Sequence, residues 1–553
     1  MKKIKLLTII GMSSTAIPMI PIVATSCSFS DSLKEETVKQ LIGLTKIPHP
    51  SNNIDKGERN NCAKIKEYLK GVVSSYGLEW FEQKNGAKYE GNAYFDIPAT
   101  KGFEDKPTII LQGHMDMVYV NTEDKDGSKK LDYTINVADT YDKNGKRILK
   151  SADGKTNIGA DDGVGISMML ALAKNKDKFE HGRLRCIFTT DEEIGLVGAN
   201  HVPFTWFEYN GEQIDYLINL DSENYDTIYS ACNGWDGRTT TISKIDSASK
   251  IDLSSGHTNV TTYDFSIGEL KSGFIEELYT QLNGYNFLAS SIDDIIETDS
   301  ISEYYISSIS AERDGVKYLP KSVNFTVSLD TNGVDKSADY KTKLEDYFST
   351  LLETKTDENK NATIDVQKKD NPSAALEQTE STAFLESMNK DYNSYIDPEV
   401  RGEKEEIAGW LSTVYLNFDS NVNYQLVLRS SIFGFTNDVM NPWKTKLNNG
   451  YNDFNNAFST SSPENKPQTT MNPWWSDNKD FFNLVKSGYD ESLNIKEGHL
   501  IGFGVENTCF ARYVKNMVSI GPSLEGIHSV DEVFYVDTAK VIFDSLLNTF
   551  KNI

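Results

Sequence analysis

The chain has 553 residues, 38% of them apolar and 25% charged, with a formal net charge of −25. That composition is globular and long enough for two or more domains. The acid excess excludes a nucleic-acid surface, which needs a clustered basic face, and serves solubility instead.

At the N-terminus, Lys2, Lys3 and Lys5 precede an apolar stretch from Leu6 to Val23, which ends in Ala24-Thr25-Ser26-Cys27. A charged start, an apolar middle and small residues before a cleavage point define a secretory signal over residues 1–26. Gly11, Ser13, Ser14, Pro18 and Pro21 interrupt the run and argue against a spanning helix. A cysteine directly after small residues resembles a bacterial lipobox, so the expectation is cleavage before Cys27, its acylation, and an anchor on the external face of the bacterial plasma membrane. An uncleaved anchor is the alternative. The remaining Cys62, Cys186, Cys232 and Cys509 form no CxxC pair, so neither a thiolate zinc site nor a disulfide framework is indicated. Cys62 reads as a helix residue, Cys186 as a strand residue, and Cys232 as lying just beyond another strand.

A helix is expected over Ser32–Thr45, and Ile47-Pro48-His49-Pro50-Ser51 must turn because two prolines fix the backbone. His49 reads as structural. From Gly57 to Gly77, the spacing of Ile65, Tyr68, Leu69, Val72 and Val73 marks an amphipathic helix. Strands follow at Leu78–Glu82 and Asn92–Ile97. Pro107–Leu111 is a short β-branched run bounded by a charged loop, which predicts a buried strand. It leads to His114 and Asp116, which share a face at i and i+2. The carboxylate can then fix which imidazole nitrogen binds metal, although a satisfied core histidine is the plainer alternative.

After a polar excursion, Val120–Ser151, the stretch Thr156–Gly165 carries Asp161 and Asp162 in a Gly-rich turn before the apolar helix Ile166–Ala173. Adjacent acids would repel a phosphate, so metal suits the charges better. A strand with Leu184, Cys186 and Phe188 alternating ends in Asp191-Glu192-Glu193, and a second, Tyr216–Leu220, ends in Asp221. Three apolar strands thus each end in carboxylates. Strands separated by helices imply a parallel α/β sheet, whose ligands bind beyond the carboxyl ends of the strands. Between residues 233 and 473 the texture becomes polar, with strands at Tyr304–Ile309, Val323–Val327 and Tyr424–Leu428, helices at Asp339–Leu352 and Thr379–Met388, and loops at Lys355–Lys360 and Ser459–Thr470. This is a candidate inserted domain between a first catalytic part, 27–232, and a second, 474–553. The second part offers a helix at Asp480–Leu493, a strand at Asn516–Ile520, a turn with His528, and a closing helix at Asp537–Phe550.

His114, an Asp of the Gly-rich turn, Glu193, Asp221 and His528 make an imidazole-and-carboxylate set, which suits two zinc ions with one carboxylate between them. The stretches IPATKGFEDKPTIILQGHMDMV, NIGADDGVG, TTDEEIG, INLDSE and SIGPSLEGIHSVDE, in that order, resemble the aminoacyl-histidine dipeptidases (Xaa-His dipeptidases, peptidase D). These belong to the di-zinc exopeptidase superfamily that also includes aminoacylase and carboxypeptidase G. The resemblance covers roughly Leu41–Cys232 and Trp474–Ile553 and is weaker between, where VLRSS at Val427–Ser431 is similar to the family's last lid strand.

The resemblance implies an α/β catalytic domain, with a mixed, largely parallel sheet flanked by helices, and an inserted α+β lid. It implies His114 and Asp221 on one metal, Glu193 and His528 on the other, and Asp161 bridging. Asp116 would orient His114, and Glu192 would be the general base toward a metal-bridging water. Two divalent ions are implied, zinc first and manganese or cobalt as alternatives. Three positions depart from the family. Asp162 stands where the family has Asn. The lid's Gly-Gly-His-Ser-Gly motif aligns with Leu270-Lys271-Ser272-Gly273-Phe274, so Phe274 replaces a histidine, with His257 as a nearby substitute in sequence. Gly504-Val505-Glu506 resembles a substrate-contact loop without its usual histidine, which leaves Glu506 as the contact.

The function expected is hydrolysis of dipeptides, including Xaa-His, or of very short peptides. The alternatives are a catalytically impaired metal- or peptide-binding surface lipoprotein, or a hydrolase of N-acyl amino acids or tripeptides. The expected partners are a small peptide and, through the lipid on Cys27, the membrane; a homodimer is left open.

Overall fold

The computed structural model describes residues 22–553 apart from 53–56, 59, 84–90, 125, 243–244, 271–282, 313–319, 355–360, 390–406, 418–424, 435, 459–460, 462–463, 468–470 and 501–503. The first elements are α1 (Ile22–Leu44), α2 (Ala63–Ser75), β1 (Trp80–Glu82), β2 (Ala93–Ile97), β3 (Ile109–His114), β4 (Val137–Tyr141), β5 (Arg147–Ser151), α3 (Ala160–Lys174) and β6 (Leu184–Thr189). Helix α1 starts at Ile22 rather than at Ser32. Among the described residues, no helix is long and apolar enough to cross a membrane.

Every residue of β3 and of β6 is buried. The cause is coverage on both sides: Ile109 and Leu111 face one core with Cys186 and Phe188, while Ile110 and Ile187 face another. Such strands read as unbroken apolar runs, as these do. The sheet order is β1, β2, β6, β3, Tyr216–Asn219, Asn516–Ser519, Thr227–Cys232 and Trp474–Trp475, with Lys496–Leu500 also on Thr227–Cys232. Its centre is parallel: β3 pairs in parallel with β6 and with Tyr216–Asn219, which pairs in parallel with Asn516–Ser519. The flanks are antiparallel at β1–β2 and β2–β6. The expected mixed, helix-flanked sheet is therefore present. Helix α3, buried over its whole length from Val164 to Ala173, lies in the first core. Each fully buried Leu, Ile or Met there stabilises by about 1.5–3 kcal/mol relative to exposure.

A second sheet of eight strands uses chain segments between Gly234 and Pro467. In its strand Ser322–Asp330, Val323, Phe325 and Val327 are buried and alternate with half-buried neighbours, the period of two that puts one face on a core. Helices Gly284–Thr298, Ser337–Thr354, Gln378–Met388 and Asn437–Ala457 contribute to that separate core, with Leu288, Leu344, Phe384 and Phe454.

Several local expectations change. The polar excursion 120–151 contains the antiparallel hairpin β4–β5, and β5 pairs with Val533–Tyr535, which pairs in turn with Leu524–Glu525. In β4 no residue is buried, while β5 buries the adjacent Ile148 and Leu149 and then Ser151, so neither carries an alternating apolar period. The loop expected at Ser459–Thr470 includes a strand, Glu464–Pro467, held by pairing to Gly234–Ile242 rather than by apolar residues. The helix expected to Leu493 ends at Lys486, where the Ser487 hydroxyl donates to the Leu484 carbonyl (2.7 Å). Cys232 is the last residue of its strand rather than beyond it, and Cys62 sits at the residue before α2. The segment Lys355–Lys360 lies outside the described residues.

Candidate metal centre

Because β6, β3 and Tyr216–Asn219 are parallel neighbours, their carboxyl ends coincide, and the polar residues just beyond them converge. His114 ends β3, Glu192 and Glu193 follow β6, and Asp221 follows the third strand. His114 Nε2 lies 3.0 Å from Asp161 Oδ1 and 3.5 Å from Asp221 Oδ1. His528 Nε2 lies 3.1 Å from Asp161 Oδ2 and 2.9 Å from a Glu193 carboxylate oxygen. The two oxygens of Asp161 thus face two different histidines. Three sets of groups here have ligand atoms close enough to hold a cation: His114, Asp161 and Asp221; Asp161, Glu193 and His528; and His114, Glu192 and Glu193.

Asp116 stands on the opposite side of the His114 ring. Its carbonyl is 3.0 Å and its carboxylate 3.5 Å from Nδ1, which leaves Nε2 to the cluster. The same carboxylate accepts from the Ser51 hydroxyl (2.7 Å) and from the Glu192 backbone N–H (3.2 Å). It therefore orients both an imidazole and the strand end that carries Glu192.

Asp161 is delivered by the start of α3. Gly159, just before it, takes a left-handed φ of 63°, and a Cβ there would lie 2.9 Å from the Met117 sulfur. Glycine meets both demands. Asn157 ties this loop to the end of the β3 segment, donating to the Val118 carbonyl (2.8 Å) and accepting from Val120 N–H (3.2 Å). His528 lies in the turn between Leu524–Glu525 and Val533–Tyr535, with φ 56°, a left-handed conformation that non-glycine residues adopt uncommonly.

The electrostatics reflect crowding of acids. Burial and then the Asp161 charge push Glu193 up to about 7, and burial pushes Asp221 up to about 6. Burial also raises Glu192 and Asp162 well above the carboxylate range. Burial acts the same way on Asp161, but hydrogen bonds from His114 and His528 hold it below that range. For His528, burial is outweighed by Asp161 and Glu193, which push it up to about 11. Five carboxylates around two imidazoles are a set whose charge protons or bound cations can compensate. Imidazole and carboxylate donors arranged around a shared carboxylate fit two divalent cations.

Of the other residues singled out, Glu506 is fully buried beneath the sheet. It accepts from Thr189 Oγ1 (2.8 Å) and from Gln112 Nε2, and its Oε1 has no hydrogen-bond partner among the described residues. Burial pushes it up to about 7. Asp162 is buried, and its carboxylate accepts from the backbone N–H of His114 (3.2 Å) and Gly165 (3.1 Å). His49 is buried with its Nδ1 against the Ile47 carbonyl, a structural placement. His257 packs its ring 6.5 Å from Tyr305 and is in none of the three cation sets found among the described residues. Phe274 lies outside the described residues, as does most of the Leu270–Phe274 stretch.

Sequence reasoning missed the residues that hold the candidate ligands in place. Gln112 and Asn219 hydrogen-bond to each other (2.8 Å) inside the sheet, and Asn219 accepts from Asp221 N–H (3.3 Å). Asn52 grips the Asp191 carboxylate twice, at 2.8 Å each. Glu532, four residues after His528, binds the Asp161 loop. The available signal was polar residues inside apolar strands and a second acid in HSVDE.

A mixed α/β sheet beyond whose strand ends two histidines face the two oxygens of one aspartate is an α/β scaffold carrying a group set that could hold two cations. The particular likenesses agree with it. The pattern described as Peptidase family M28 matches residues 92–263. The cytosol non-specific dipeptidase of Escherichia coli (strain K12) is 24% identical over 534 residues, covering 92% of this chain and 96% of that protein. The crystal structure of aminoacylhistidine dipeptidase from Vibrio alginolyticus superposes with a TM-score of 0.68 at 18% identity, covering 94% of this chain and 96% of that one. A tripeptidase from Staphylococcus aureus superposes with a TM-score of 0.52 at 14% identity, over 94% and 98%.

Proposed function

We infer that this chain is a metal-dependent exopeptidase that hydrolyses dipeptides or short peptides. The observation that carries this is Asp161, whose two oxygens meet His114 and His528 separately while Glu192 stands beside the set. Similarity to a dipeptidase over nearly the full length of both chains supports the reading.

His114 and Asp221 would hold one cation, Glu193 and His528 the other, and Asp161 both; zinc suits these donors, with manganese or cobalt as alternatives. Such cations polarise a scissile carbonyl and acidify the attacking water. The Glu192 carboxylate takes the proton from that water and returns it to the leaving amine. Its neighbour Glu193 is occupied by His528, so the two adjacent acids divide ligation from proton transfer. Asp116 fixes the His114 ring and holds Glu192 through its N–H. Glu506 is read as the group that recognises the substrate from beneath, and the second sheet with its helices, within 233–473, as a lid between the catalytic parts 27–232 and 474–553. Xaa-His dipeptides are the finer substrate expectation. Cys27 is read as the lipid-bearing residue that anchors the enzyme outside the plasma membrane, through processing after Ser26.

The test is hydrolysis of a small dipeptide panel, Xaa-His included, by the full chain with zinc, manganese or cobalt, and with Glu192→Gln beside it. Metal-dependent cleavage lost in the variant is expected; cleavage that persists in the variant overturns Glu192 as base, and none in either overturns the activity. Membrane-extracted protein without an acylated Cys27 by mass analysis overturns the anchor.

A further inference from the structure

Glu532 is 1% exposed, and among the described residues neither of its oxygens forms an ion pair with a side-chain cation. Instead Oε2 accepts from the backbone N–H groups of Ile158 (2.5 Å) and Gly159 (2.8 Å), and Oε1 from those of Ala160 (3.0 Å) and Asp161 (3.3 Å). Four consecutive donors at the start of α3 thus converge on one carboxylate. Gly159 is left-handed, and Asp161 and Asp162 take non-helical φ/ψ, so these N–H groups belong to an irregular turn ahead of the regular helix, whose converging backbone donors make a concave site for an anion. The loop they belong to delivers Asp161. The turn that delivers His528 also delivers Glu532, whose own N–H donates to the Ser529 carbonyl (3.3 Å). Two segments far apart in the chain, each bearing one group of the shared site, are therefore clamped together by a residue that ligates nothing.

We propose that Glu532 is a positioning residue that sets the distance between Asp161 and His528, and so determines occupancy of the Asp161–Glu193–His528 cation site. The inference rests on the reading of the centre as a two-cation site. The other site depends less on the clamp, because two of its three groups, His114 and Asp221, stand at or just beyond the ends of parallel strands of the central sheet and only the shared Asp161 comes from the clamped loop. A glutamine at 532 keeps one acceptor and turns an NH2 toward two donors, so two of the four bonds are lost and the loop is released. An aspartate keeps the charge and both acceptors on a stem one methylene shorter.

The experiment uses the full chain freed of metal, titrated with cobalt(II) and followed by visible absorbance, with zinc stoichiometry by equilibrium dialysis. The wild type is expected to bind two equivalents. Glu532→Gln should bind the first as the wild type does and the second at least tenfold more weakly, and Glu532→Asp should fall between them. Val485→Ala, which opens a cavity in the core beneath the final helix, serves as a control that lowers the melting temperature without touching the clamp. It should keep both equivalents. Glu532→Gln with two wild-type equivalents overturns the proposal. So does equal weakening of both, or loss of the second equivalent in Val485→Ala, since either reports general destabilisation. A wild type that binds no cobalt or zinc overturns the two-cation reading itself, an outcome separate from the others.

Discussion

Glu192 and Glu193 are chemically identical neighbours with different surroundings: Glu193 meets His528 at 2.9 Å, while Glu192 is tied at its backbone and its carboxylate forms no ion pair among the described residues. Replacing Glu192 by Gln keeps shape and removes the base. The expected outcome is a loss in kcat of about 10²- to 10⁴-fold with KM little changed, read by steady-state kinetics. Asp116→Asn is milder in charge but removes an acceptor shared by Ser51 and the His114 side of the site, and it should raise KM for added metal in activation assays. Tyr119 shows a pH effect outside the metal set. Burial and its hydroxyl bond to Asp124 (2.6 Å) push the phenol up to about 12. The folded value lies above the unfolded one of about 10, so this stabilisation is present below pH 10 and fades as pH rises toward 12. The melting-temperature advantage of wild type over Tyr119→Phe should shrink across that interval.

Among the elements, those with strong apolar periods were legible in the sequence. Strand β3, strand β6 and Tyr216–Asn219 fall where Pro107–Leu111, Leu184–Phe188 and Tyr216–Leu220 were expected, and the final helix runs Val536–Asn552 against an expectation of Asp537–Phe550. The hairpin β4–β5 and the strand Glu464–Pro467 were not legible, because they lie in polar stretches without a strand-length apolar period and are defined by pairing to another strand. The helix Asn437–Ala457, which carries Pro442 inside it, was hidden by its Asn-rich polar face. The start of α3 is the element most sensitive to a single change. Gly159→Ala places a Cβ against the Met117 sulfur at a left-handed φ, at a cost of about 1–3 kcal/mol. Urea unfolding should show that loss, together with weaker metal binding.

For the whole molecule, the centre joins three strand ends and two loops, so cations bound there would act as staples between segment 114–221 and the turn at His528. Chelation should lower the melting temperature and added zinc should restore it. A hundredfold excess over Kd stabilises by about 2.7 kcal/mol per site. The ligand types, their order along the chain and the apolar strands before them were written in the sequence, because strand period and residue chemistry are local properties. Which histidine meets which oxygen of Asp161 was decided by the tertiary structure alone, since strand β3 places His114 while the start of α3 and the turn carrying His528, joined through Glu532, place the other two groups. The same holds for Glu532: nothing local marks an acid in HSVDE as a clamp until folding brings four backbone N–H groups of a loop some 370 residues earlier onto its carboxylate.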